Sequence, residues 1–129
     1  MLNKTVVQKA LKRSLAFDAN PKYTHTPPLE GQSSITSQLI FDIYGGEILK
    51  THKKKGWHFY NRINGERIDL AISEMGKSPK ATHFEDIPSN SDETNNYFEQ
   101  EDYSTLFNRF IRTFEEIIGL NKYQTGIIT

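Results

Sequence analysis

The residues best suited to chemistry are a histidine, a tyrosine and an aspartate spaced around an Asn-Gly dipeptide, together with a serine that follows Gly31-Gln32. Asn64-Gly65 suits a two-residue type I′ turn, whose central positions both need positive φ. Pairing the chain around it sets Ile63 opposite Glu66, Arg62 opposite Arg67, Tyr60 opposite Asp69 and His58 opposite Ala71. Side chains alternate along a strand, so His58, Tyr60 and Asp69 share one face. His58 and Asp69 become diagonal neighbours with Cβ atoms roughly 7–8 Å apart or somewhat less, a gap that a carboxylate and an imidazole can close. The chemistry would be that of a histidine base whose tautomer and orientation are set by an acid. Trp57, Phe59, Ile68, Leu70 and Ile72 would fill the opposite, apolar face.

Such a base needs a nucleophile, best placed at a helix N-terminus, where the macrodipole favours a developing anion and unpaired N–H groups can act as an oxyanion hole. Ser33, opening a helix after Gly31-Gln32, has that location. Backbone N–H groups there and the Gln32 amide are the oxyanion candidates, and Tyr60 is a candidate for lining a substrate cleft. Plainer readings exist beside these. A serine at a helix start is commonly an N-cap, and a strand histidine near a strand aspartate is commonly a structural pair. Spacing alone leaves both open.

The elements that must position these residues can be read along the chain. Residues 4–17 form a first helix, with Val7, Ala10, Leu11 and Leu15 on its apolar side and Lys4, Lys9, Lys12 and Arg13 outward. The breaker-rich stretch Asp18 to Gly31, holding Asn20-Pro21 and Pro27-Pro28, is long enough for a functional loop. A second helix should run from Ser33 or Ser34 to Gly45-Gly46, burying Ile35, Leu39, Ile40 and Ile43. Glu47 to Thr51 reads as a strand, followed by the basic turn His52-Lys53-Lys54-Lys55-Gly56 and the hairpin strands Trp57 to Arg62 and Arg67 to Ile72. Residues 73–100 are polar with weak local signals. A last helix covers about Glu101 to Ile118, with Tyr103, Phe107, Phe110, Ile111, Phe114 and Ile118 apolar and a stop at Gly119. The order α-α-β-β-β-α with local antiparallel pairing predicts an α+β fold, in one domain over residues 1–129.

Composition narrows the function. Sixteen basic and sixteen acidic side chains leave no net charge, which disfavours a nucleic-acid binder. No apolar run reaches the 18 residues of a membrane span. The N-terminal residues scatter charges through their apolar positions, unlike a signal peptide, so a cytoplasmic location is expected. Cysteine is absent, which excludes disulfides, thiolate zinc sites and a cysteine nucleophile in this chain. His25 and His52 are expected in exposed loops and His83 in a polar segment, so four scattered histidines make no metal site, and no cofactor motif is present.

A family resemblance adds to this. Gly31-Gln32-Ser33 with Ile35-Thr36 behind it, Tyr44-Gly45-Gly46-Glu47-Ile48-Leu49-Lys50, the run from Trp57-His58-Phe59-Tyr60-Asn61 to Asn64-Gly65, and Ile68-Asp69-Leu70 resemble the YunG-type family of small bacterial proteins. Ser89-Asn90 to Thr94-Asn95 and the helix beyond are similar to that family's C-terminal part. The family's pattern carries Cys where this chain has Ser33. The resemblance therefore implies a papain-like or transglutaminase-like minimal core, helices on a small antiparallel sheet, with Ser33, His58 and Asp69 at the catalytic positions. It further implies a thiol hydrolase or acyltransferase acting on an amide, isopeptide or thioester of a peptide, protein or small molecule. A site tuned for thiolate should be almost inert with serine, whether the change is engineered or natural. A non-enzymatic protein holding a small polar ligand or peptide in the same cleft is the alternative, and a protein whose output is a protein–protein contact is a third.

Overall fold

The computed structural model describes residues 2–16, 32–53, 56–70 and 83–124. The expected loop Asp18 to Gly31, with His25, lies outside the described residues, as do Lys54-Lys55 and the Ala71-Ile72 end of the expected hairpin strand. The fold is α+β, with helices on a four-stranded antiparallel sheet. By its contacts the chain divides into two compact units, residues 27–103 and a unit made of residues 1–26 with 104–129.

The first of these units holds the sheet. Helix α2 (Ser33–Tyr44) leads through Gly45-Gly46 into β1 (Glu47–Lys53), then β2 (Gly56–Ile63), β3 (Glu66–Ile68) and β4 (Ile87–Ser89), arranged β3-β2-β1-β4. Both glycines have positive φ, and a Cβ on Gly46 would meet the Arg62 carbonyl oxygen at 2.5 Å, so the chain reverses there only without a side chain. Asn64 and Gly65 have φ of 51° and 80°, as the type I′ turn requires. The pairing follows the expected register, with Ile63 opposite Glu66, Arg62 opposite Arg67 and Asn61 opposite Ile68. On its other side β2 pairs with β1, setting His58 opposite Thr51 and Tyr60 opposite Leu49.

Three expectations for this unit change. β1 extends two residues past Thr51, so His52 is a strand residue, though still exposed. β3 stops at Ile68 instead of reaching Ile72, because Asp69 turns out of the ladder toward His58. β4, with the short helix α3 (Ser91–Thr94) and a 3₁₀ turn (Asn95–Tyr97), lies in the stretch whose sequence signals are weak. Three residues including a proline give no readable alternation; Pro88 is tolerated because β4 is an edge strand.

Helix α2 packs mainly on β2. Residues 33–40 are all buried, five of them polar, so its first half is enclosed on every side and not along one stripe. Gln38 serves as a junction: its amide nitrogen donates to Asp42 (3.0 Å) and Ser91 (3.1 Å), and its oxygen accepts from Thr94 Oγ1. Asn61 donates from Nδ2 to the Ser37 carbonyl, tying β2 to the helix at 3.0 Å.

The second unit contains α1 (Lys4–Ala16) and the greater part of α4 (Gln100–Gln124). Asn3 caps α1 by accepting from the Val6 N–H at 3.2 Å. Its buried positions are Val7, Ala10, Leu11 and Ser14, with Leu15 only half-buried. Ser14 can be buried because its hydroxyl donates to the Ala10 carbonyl one turn back. On α4, Leu106, Phe110 and Ile117 are buried, whereas Phe107, Ile111, Phe114 and Ile118 are half-buried. The helix does not stop at Gly119. A glycine ends a helix by taking up left-handed φ, and Gly119 instead stays within the helix, at a propensity cost of roughly 1 kcal/mol.

Candidate active site

The hairpin puts His58 and Tyr60 on one face of β2, with ring centroids 6.1 Å apart and planes 24° from parallel. Asp69, just past β3, turns to that face and its Oδ2 lies 2.7 Å from His58 Nε2. A carboxylate only accepts, so Nε2 carries the proton it donates, and in the tautomer with that single proton Nδ1 is an acceptor. Both partners are buried, His58 at 2% side-chain exposure and Asp69 at 8%. Nδ1 is also buried, and it has no hydrogen-bond partner among the described residues.

The early end of β3 brings in the serine. Continued pairing would set Leu70 opposite Phe59, but with the strand ended at Ile68 the Phe59 N–H donates to Ser33 Oγ instead, at 3.1 Å. Ser33 thus stands at the edge of β2, against the peptide unit that joins His58 to Phe59. It is the first residue of α2, and Gln32 precedes it as the capping position without making a side-chain cap. Ser33 is therefore not the N-cap of the plainer reading. Its side chain is not open to solvent either, being 5% exposed. Gln32 is buried too, with both amide atoms lacking partners among the described residues, and so is the hydroxyl of Thr36. A cavity of about 10 Å³, lined in part by Thr36, Phe59, Tyr60 and Asp69, lies next to the pair. That is room for about one water.

Tyr60, one of the residues lining that cavity, is itself fixed at its hydroxyl. Its hydroxyl donates to Asp86 Oδ1 (2.9 Å) and accepts from the Asp86 N–H (2.7 Å). Burial, with Asp86 beside it, pushes the phenol far above the usual tyrosine range, so it stays protonated and shuttles no proton near neutral pH. Asp86, at φ 55°, is in turn held by Arg67 through Nε (3.0 Å) and Nη2 (2.6 Å), and that guanidinium holds its carboxyl below the ordinary range. The neighbouring Glu85 accepts from the His52 N–H and lies 2.9 Å from His52 Nδ1. Residues 83–86 are thereby strapped across the His58–Tyr60 face, also through the bond from Thr51 Oγ1 to the His83 carbonyl. Sequence spacing did not point to Thr36, Asp86 or Arg67. A serine-type hydroxyl on a helix and one ion pair at the surface carry no distinctive spacing, and only the fold brings them near His58. Among the described residues, no group of three His, Asp or Glu side chains is placed to hold a metal ion. No helix among them is long and apolar enough to cross a membrane.

Residues 3–115 match the family described as YunG protein. The chain belongs to the YunG family. It is 35% identical over 111 residues to the Bacillus subtilis (strain 168) protein named "Uncharacterized protein YunG", an alignment spanning 86% of this chain and 94% of that one. No solved structure matches the chain. The family match thus contains every residue of the site, from Gln32 through Asp69 to Asp86 in this YunG-family sequence.

Proposed function

We propose that this chain carries a papain-like minimal core of hydrolase or acyltransferase type, acting on an amide, isopeptide or thioester in the cytoplasm. Ser33 stands at the nucleophile position, His58 is the base and Asp69 its orienting acid. Ser33 replaces the cysteine of the family's pattern and leaves this form nearly inert. The observations that carry the reading are a buried imidazole fixed by a carboxylate through Nε2 with Nδ1 unclaimed, and a hydroxyl at the start of α2 bonded to the N–H of Phe59, the residue that follows His58. In the active form Nδ1 would take the proton of the attacking group and return it to the leaving group. The Phe59 N–H and the start of α2 would stabilise negative charge on the atom at position 33.

The test is Ser33→Cys, in a chain with no other cysteine. Its thiol should be alkylated by iodoacetamide with a midpoint in the range of roughly 3.5–7.5, against about 8.5 for an ordinary thiol. His58→Ala in that background should restore the ordinary profile and Asp69→Asn should do so in part. A midpoint near 8.5 that ignores His58→Ala would refute the enzyme reading. A second reading, a binding protein that holds a small polar ligand at these residues, is favoured by the burial of Ser33 and the engagement of its oxygen by Phe59.

A further inference from the structure

Four buried side-chain atoms lack a hydrogen-bond partner among the described residues, and they belong to three residues: Gln32 Nε2 and Oε1, Thr36 Oγ1 and His58 Nδ1. Gln32 and Thr36 are four residues apart at the start of α2, a spacing that puts them on one side of the helix. Thr36 lines the small cavity with Asp69, and Asp69 holds His58. Buried polar atoms are nearly always paired in native proteins, so the unpaired Gln32 amide and Thr36 hydroxyl, one helical turn apart, point to a group that arrives from outside.

Their chemistry limits what that group can be. Nε2 of Gln32 needs an acceptor and Oε1 needs a donor; Thr36 takes either, and Nδ1 is reserved for the proton at position 33. A ligand that only accepts, such as a carboxylate, an ester or a thioester, would leave Oε1 unpaired. A secondary amide in the ordinary trans geometry points its C=O and N–H in opposite directions and cannot meet both ends of one Gln side chain. A primary carboxamide presents a carbonyl and a syn N–H on the same edge, matching Gln32 in a two-bond pair.

We infer that the site takes a primary carboxamide, such as an unsubstituted amide or a glutamine- or asparagine-type side chain, with Gln32 recognising the amide edge and Thr36 completing it. The inference rests on the reading of Ser33 as the nucleophile position, and it narrows the substrate class left open there. In the cysteine form the thiolate would bond to the amide carbon. The C–N bond would break as His58 returns the proton, ammonia would leave, and water would hydrolyse the thioester to a carboxylate and regenerate the thiol.

Two isosteric reagents give the test. The Ser33→Cys protein is alkylated with iodoacetamide, a primary carboxamide, and with iodoacetate, its carboxylate counterpart. The ratio of rate constants is compared with that of Ser104→Cys, whose thiol would stand at an exposed position. The ratio at position 33 should exceed the control at least tenfold in favour of the amide, although a nearby imidazolium would favour the anion. Adding Gln32→Leu should return it to the control value, and adding Thr36→Val should lower it in part. Equal ratios at the two positions, or a preference that survives Gln32→Leu, would overturn the inference. Should Gln32→Leu fail to fold, the parent protein serves: propionamide should raise its melting temperature while propionate and N-methylpropionamide do not, and equal effects of the three would overturn it. The two ideas fail separately. An activated thiol without amide preference removes only the carboxamide assignment. Amide preference on a thiol indifferent to His58→Ala removes the catalytic reading and keeps a carboxamide site.

Discussion

At the scale of single residues, Ser33 has a structural duty besides its proposed chemical one. Its oxygen is the partner of a backbone N–H that the sheet leaves unpaired, so Ser33→Ala strands that donor in a buried place. The expected loss is about 1–3 kcal/mol, read from urea unfolding. Gly46→Ala should cost about as much or more, since left-handed φ and a carbonyl at 2.5 Å both oppose a Cβ there. A wild-type midpoint in either variant would contradict the contact in question. The sequence made His58 and Asp69 legible as a pair because a two-residue turn and strict alternation fix which residues meet. It did not reveal that Tyr60 would be claimed by Asp86, since that bond depends on where a segment 26 residues away crosses the sheet.

At the scale of elements, the helices and the hairpin were readable, while lengths and buried faces were less so. Periodicity located α2, yet its enclosure on all sides comes from the sheet beneath it and from Gln38 binding α3, and neither is encoded in the helix itself. The hairpin's register was set locally by Asn64-Gly65, but the end of β3 was decided by Asp69 leaving the ladder. On α4, glycine's reputation as a terminator misled, because termination depends on φ and not on residue type alone. That gives an expectation: nothing lies within 4 Å of a Cβ built on Gly119, so Gly119→Ala should stabilise the protein by about 0.5–1 kcal/mol and raise its melting temperature. A lowered melting temperature would mean that the helix ends before this residue.

At the scale of the molecule, zero net charge conceals carboxylates held in specific pairs. Asp86 is lowered chiefly by hydrogen bonds from Arg67, Glu85 by the His52 N–H, and Glu93 by Lys50. A carboxyl whose folded value is depressed adds stability that is complete above its unfolded value, about 4, and is lost as pH falls further toward the folded value. Urea midpoints should therefore be level from pH 7 to about 5 and decline below about pH 4. Asp86→Asn should soften that decline, and it isolates the charge because asparagine tolerates the positive φ found there. An acid limb identical in the variant would show that the Arg67 pair contributes nothing. All these pairs are exposed in part, so each contribution is small and salt should diminish it.

The missing rung of the ladder between β2 and β3 also supplies the molecule with its own voltmeter. Because the Phe59 amide proton points at the side-chain atom of residue 33 and at no neighbouring strand, its resonance must register whatever charge that atom bears. In the Ser33→Cys protein the Phe59 signal should move downfield as the thiol ionises, tracing the same midpoint as alkylation without any reagent entering the site. The listening post is a single backbone amide built into the sheet.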